Sequence, residues 1–163
     1  MDSPDIILAD DVVTAIRNRA WSIPVVPERS WVADWDDRAE LTNLQVAVCP
    51  SLTPSATRFE RGLMTFKETW PVDLTFGKRL QQGTRAEIDG LCNLVTEIVH
   101  CVRDQGYEIA GCAFESDGYE FLARFDPRQL NRSLRPSADG LTQEVVFAGL
   151  FLSVVQISFV KRQ

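Results

Sequence analysis

The sequence predicts an α+β domain, a mainly antiparallel β-sheet with two amphipathic helices packed on one face. Three observations lead there. Two stretches, one at the start and one in the middle of the chain, repeat their apolar residues at helical spacing. Most of the segments around them alternate apolar and polar residues with a period of two. The helical stretches stand apart from runs of strands, which is the order of hairpin-linked strands and not of alternating β–α units. With 163 residues the chain has the size of one domain, 1–163, long enough to bury a single core.

The elements follow in order. Ser3-Pro4 sets an N-capping residue before a proline at the first helical position, where the missing N–H costs nothing. Leu8 or Ala9, Val12, Val13 and Ile16 then share one face, with Asp5, Asp10, Asp11, Arg17 and Arg19 on the others. Trp21-Ser22-Ile23-Pro24 ends this helix, because the residue before a proline avoids the helical region. Residues 25–36 read as extended and 37–41 as one helical turn. Leu44, Val46 and Val48 alternate with Gln45, Ala47 and Cys49 in a half-buried strand closed by Pro50. A loop is expected at 51–55, then two extended segments at 59–68 and 70–78, the second with Val72, Leu74 and Phe76 inward.

Thr84-Arg85-Ala86-Glu87 is a capping box in which threonine and glutamate each satisfy an orphan amide. Ile88, Leu91, Cys92, Val95, Ile98, Val99 and Val102 continue it as one apolar stripe, and Gly106 is expected to be a left-handed C-terminal cap. Residues 107–114 and 119–125 read as strands around a turn at Glu115-Ser116-Asp117-Gly118, and 126–140 as a polar loop. In the last strand Leu150, Leu152 and Val154 and then Val155, Ile157 and Phe159 alternate, so the phase changes at Val154/Val155 as it does at a β-bulge or bend.

A net charge of −6 argues against a general nucleic-acid binder, which needs surplus cations to neutralise phosphates. The cations are mostly arginine, with lysine only at Lys67, Lys78 and Lys161, which favours fork-shaped carboxylate pairing. Met1-Asp2-Ser3-Pro4 lacks the positive start of a secretory signal, and the apolar run 145–155 is too short to span a bilayer. No membrane partner is expected. Cys49, Cys92, Cys101 and Cys112 show no C-x-x-C spacing, which suits reduced thiols in a cytoplasmic assembly.

Enzyme signatures are missing from the sequence. His100 is the only histidine, so a His–His metal pair is excluded and any triad would depend on that residue. There is no G-x-S-x-G elbow, Gly77-Lys78-Arg79 lacks the upstream glycine of a phosphate loop, and no acid stands two residues before a lysine. Asp34, Asp36, Asp37 and Glu40 form the densest acidic cluster. As a calcium loop from Asp34 it fails, since Ala39 replaces the turn glycine and Gln45 the bidentate glutamate. Cys92 and Cys101 fall half a rotation apart on their helix and cannot chelate one metal together. The sequence therefore predicts no catalytic, cofactor-binding or metal-binding residue.

Arg124, Arg128, Arg132 and Arg135 recur at helical spacings, so a helical turn there would align their guanidinium groups toward an acidic neighbour or DNA. The interface candidates are Arg58, Arg61, Arg124, Arg128 and Arg132. Among Trp21, Trp31, Trp35 and Trp70, most are expected in the core and one or two as interface anchors.

Several features carry a resemblance over nearly the whole chain. They are the opening helix ending in Ala20-Trp21-Ser22, the entry Leu41-Thr42-Asn43-Leu44-Gln45-Val46-Ala47-Val48 before Pro50, and the lone Arg58. Val72-Asp73-Leu74-Thr75-Phe76 with Lys78-Arg79 follows, then the capped long helix and a final strand from Phe147 to Phe159 with its Ile157-Ser158-Phe159 finish. In this order the chain resembles small phage and prophage tail-gene proteins of the tail-terminator and head–tail neck family.

The resemblance implies an α+β subunit without catalytic residues or cofactor. It implies a sixfold ring of identical copies that caps the tail tube, meets a head-completion or connector protein and lets DNA pass through its lumen. The expected location is the virion, after assembly in the bacterial cytoplasm. A head-closure or tail-completion protein is the neighbouring alternative, and a small host-directed binding module a more distant one. The acidic balance fits a DNA conduit, since a negative lumen repels phosphates.

Overall fold

Helix α1 (Pro4–Arg17) opens as its proline dictates, with Pro4 at the first helical position and the Ser3 carbonyl accepting from the Ile6 and Ile7 amides. The Ser3 hydroxyl makes no capping bond. The computed structural model describes residues 3–33, 41–50, 55–58, 66–126 and 130–162. The turn expected at 37–41, the acidic cluster at 34–40 and most of the extended segment expected at 59–68 lie outside them.

The strands are β1 (Val25–Arg29), β2 (Leu44–Pro50), β3 (Ser55–Arg58), β4 (Phe66–Arg79), β5 (Tyr107–Ile109), β6 (Cys112–Ala123), β7 (Leu130–Pro136) and β8 (Gln143–Arg162), with α2 (Arg85–Asp104) between β4 and β5. The sheet runs β1-β2-β4-β8-β6-β5, with β3 added on β4 and β7 on β8. Among the described residues only β1 and β2 pair in parallel; the other pairings are antiparallel. The α+β class read from the sequence is the observed one.

One face of this sheet carries Leu44, Val46 and Val48, Val72, Leu74 and Phe76, and Val155, Ile157 and Phe159 in register across three strands. Leu8, Val12 and Ile16 of α1 and Leu91, Val95, Ile98 and Val102 of α2 close over it in a single buried cluster. Burying a large aliphatic or aromatic side chain of this kind contributes roughly 1.5–3 kcal/mol, so these rows are the main stabilising element.

Several local expectations need correction. β4 is one strand and not two segments, although it contains Pro71. The Arg79 amide donates to the Leu41 carbonyl on the β2 side, and strict alternation points the Pro71 nitrogen the same way. There it falls between Thr69, paired with β3, and Val72, paired with β2, where no ladder bond is required. Residues 115–118 are not a hairpin turn: β6 runs through them, and the extra residue becomes a bulge against β8, with Gly118 at φ +140°.

The inward face of β8 does not change phase at Val154/Val155; the irregularity at that pair lies in the neighbouring strand, where the β6 register shifts between Phe121 and Ala123. Phe151, Ser153, Val155, Ile157 and Phe159 all face inward in one unbroken alternation, and Leu150, Leu152 and Val154 lie half-buried on the opposite face. Gly106 is not a left-handed cap; α2 ends at Asp104 and the chain turns extended at Gln105, φ −88° and ψ 139°. Finally, 126–140 is not all loop, because 130–136 is strand β7.

Candidate interaction arm

β8 is 20 residues long, but β4 flanks it only from Leu150 onward and β6 only from Val154. Its first part, from Gln143 to Gly149, pairs with β7 alone. The result is a two-stranded ribbon reaching past the helix-covered sheet. An isolated ribbon is marginal in water, and three features hold this one: Leu130 and Phe147 pack against the core cluster, and hydrogen bonds fasten its base and its tip.

At its base the Phe147 amide donates to the Gly83 carbonyl at 2.7 Å, and the Leu80 amide to the Gly149 carbonyl at 3.0 Å. Gly83 is left-handed, φ +68°, and a β-carbon there would stand 1.9 Å from the Phe147 carbonyl oxygen, so only glycine permits this approach. At its tip the Ser137 amide donates to the Thr142 carbonyl at 2.8 Å. The Asp139 carboxylate accepts from the Ser137 hydroxyl and from the Leu141 amide at 2.9 Å. These bonds hold the exposed Asp139 carboxyl below the usual carboxylate range.

With the tip closed by polar bonds, Leu141 is left 88 % exposed and Leu134 61 %. Register puts Leu130, Arg132 and Leu134 with Phe147 and Val145 on one face, and Ser133 and Arg135 with Val146 and Glu144 on the other. Because the Phe147 amide points away from β7, its partner Arg132 turns its own backbone groups outward, and so does Leu134 two residues on. Among the described residues β7 has no second neighbour. Such an edge is a template for another strand.

The far edge of the sheet differs. β1 has Pro27 in its outward register, whose carbonyl accepts from Arg17 at 3.4 Å, and a proline blunts strand addition. Beside it Val26, Trp31 and Val32 are exposed, at 39 %, 50 % and 68 %.

The arginine candidates do not form one face. Arg61 and Arg128 lie outside the described residues, and Arg58 ends β3, paired with Phe66. Arg124 leaves β6 and reaches back to α2, bonding the Thr96 hydroxyl at 3.5 Å and covering the Phe121 ring at 5.0 Å. Arg132 and Arg135 both lie on β7, but residues three apart on a strand point to opposite faces; Arg135 is taken by Glu144 at 2.6 Å. The aligned guanidinium stripe expected from a helical turn is therefore overturned, because the segment is strand.

Of the tryptophans, Trp21 caps the Ile16 carbonyl at 2.9 Å and Trp31 is half exposed, while Trp35 lies outside the described residues. Leu134, Leu141 and Phe147 were missed by the sequence reading. The available signal was the turn Pro136-Ser137-Ala138-Asp139-Gly140 before an apolar run, which marks a hairpin when its first strand is accepted as polar.

His100 meets the Tyr119 hydroxyl at 3.1 Å. Among the described residues no group of three or more His, Cys, Asp and Glu is placed to hold a metal, and no helix is long and apolar enough to cross a membrane. No family model matches the chain, and no curated protein is similar to it.

Proposed function

We propose that this chain is a structural ring subunit of a tailed bacteriophage, a tail terminator at the head–tail interface, and that the β7–β8 arm joins each copy to the next. The observation that carries this reading is the arm, a ribbon that beyond its packed base has exposed leucines and an open edge. A closed ring needs a head-to-tail contact between two different patches of the same chain. The arm supplies one apolar patch, and Val26, Trp31 and Val32 beside β1 supply another at the opposite edge of the sheet. Exposed leucines on a two-stranded ribbon cost solubility in a monomer, and a partner that covers them removes that cost.

The test is native mass by light scattering over a concentration range, with negative-stain images of the largest species. The wild-type chain is expected to form sixfold rings, alone or on purified tail tubes. Leu134→Glu with Leu141→Glu should abolish them and leave thermal unfolding unchanged, because neither side chain belongs to the core. Rings that persist in this variant would overturn the arm's role. A chain that stays monomeric even with tail tubes present would overturn the ring.

A further inference from the structure

A cavity of about 440 Å³ opens beside the start of α2, its lining including the apolar Ile23, Leu91 and Leu94 and the polar Lys78, Gln81 and Thr84. Its volume lies in the range of small-ligand sites, roughly 300–1,000 Å³. Gly90 is at its rim, where an added β-carbon would meet nothing within 4 Å. The cavity is thus open to solvent on that side.

Lys78 is the unusual member. It is only 6 % exposed, and its ammonium makes one hydrogen bond, to the Arg79 carbonyl at 3.2 Å. An ammonium has three donors, so two have no protein acceptor among the described residues. A buried cation with unmet donors favours an anion beside it. The Glu87 carboxylate feels the Lys78 charge, but its oxygens accept from the amides of Gln81, Gln82 and Gly83 at 2.8–2.9 Å and no hydrogen bond joins it to the ammonium, so the two donors stay unmet. The N-cap Thr84 and first-turn Ala86 of α2 also line the cavity, so the positive end of the helix dipole borders it.

We propose that this cavity binds a carboxylate on a short apolar stem, with the carboxylate at Lys78 and the stem against Ile23, Leu91 and Leu94. A single negative charge fits better than a phosphate dianion, because the Glu87 carboxylate also faces the cavity. The carboxylate can belong to a free small acid or to an acidic side chain of a second copy. The site does not depend on the ring reading.

Hexanoate titrated into the intact protein, followed by amide spectra, tests it. Saturable shifts are expected at residues 81–90. They should weaken about tenfold or more when hexanol replaces hexanoate or when Lys78→Met removes the charge-assisted bond. Lys78→Arg should bind, and Gly90→Leu, which leaves Lys78 in place and fills open space, should block. Hexanol or inorganic phosphate binding as well as hexanoate would overturn the proposal, as would no saturable shift at millimolar hexanoate. Where hexanoate binds, the same amides shifting with protein concentration alone, and no longer doing so in Lys78→Met, assign the carboxylate to a second copy. Hexanoate binding without that concentration dependence assigns it to a free acid.

Discussion

Replacing Glu87 by alanine removes the acceptor that organises the turn between β4 and α2. Three amides, those of Gln81, Gln82 and Gly83, donate to this one carboxylate at 2.8–2.9 Å, and the Glu87 amide in turn donates to the Thr84 hydroxyl at 3.2 Å. A hydrogen bond to an ionised group contributes about 1.5–3 kcal/mol. The carboxylate is half exposed and water replaces part of each bond, so the expected total is about 2–3 kcal/mol at neutral pH, not three full bonds. Burial pushes the Glu87 carboxyl up, but the three amides and the Lys78 ammonium outweigh it and hold it below its ordinary value of 4.5. A carboxyl depressed in the folded state adds stability that is complete above the unfolded pKa and is lost as pH falls through the folded one. The difference between wild type and Glu87→Ala in urea unfolding should therefore be full at pH 7 and shrink to about 1 kcal/mol or less in strong acid. A difference that is the same at both pH values, or below about 0.5 kcal/mol at pH 7, would refute the reasoning.

Other substitutions test the remaining supports. Gly83→Ala drives a β-carbon into the Phe147 carbonyl in a left-handed backbone and should cost about 3 kcal/mol or more in the same urea assay. Ser153, fully buried, donates to the Ala123 carbonyl at 3.2 Å, at the β6 register shift between Phe121 and Ala123; Ser153→Ala should cost about 1 kcal/mol, read as a lower urea midpoint at constant slope. Burial and the nearby Asp73 carboxylate push the Cys49 thiol up, and burial does the same for Cys92 against the opposing pull of Arg124. Both should react with an aromatic disulfide reagent at about one-tenth or less of their rate in the unfolded chain, and native Cys49 modified at the unfolded rate would contradict the placement of β2.

What the sequence reveals depends on how local each signal is. The α2 stripe and the alternation of Val72, Leu74 and Phe76 are legible because one face of each element meets the core and the other meets water. β7 is not, since Leu-Asn-Arg-Ser-Leu-Arg-Pro has little strand propensity and is extended only because β8 pairs with it. The same distinction decides the arginines, for which a spacing of three means one face on a helix and opposite faces on a strand. In β8 both residue parities are apolar, so composition cannot choose the inward set. Its register with β4, which places Val155 opposite Leu74, makes that choice. The interface candidates named from charge therefore missed the arm's leucines. Lys78 drew attention only in a failed phosphate-loop match and as the Lys78-Arg79 pair of the family resemblance, because the α2 and Ser22-Ile23 residues that line the cavity with it are remote in sequence.

The arm and the cavity are coupled through one short turn. Glu87 gathers the amides of 81–83, and that gathering presents the Gly83 carbonyl to the Phe147 amide at the base of the arm. Leu130 and Phe147 pack the base of the ribbon against the core cluster, and the strands beyond them toward the tip are mostly exposed, so the order of the ribbon depends on this anchored base more than on its own pairing. Loosening the turn should free the arm before the sheet opens. In Glu87→Ala the Phe147 amide should exchange with solvent about tenfold faster or more under native conditions, while the core amides of β4 slow or quicken only with global stability. Equal acceleration at Phe147 and at Leu74 would mean that the whole domain opens as one unit and that the turn is no hinge for the arm.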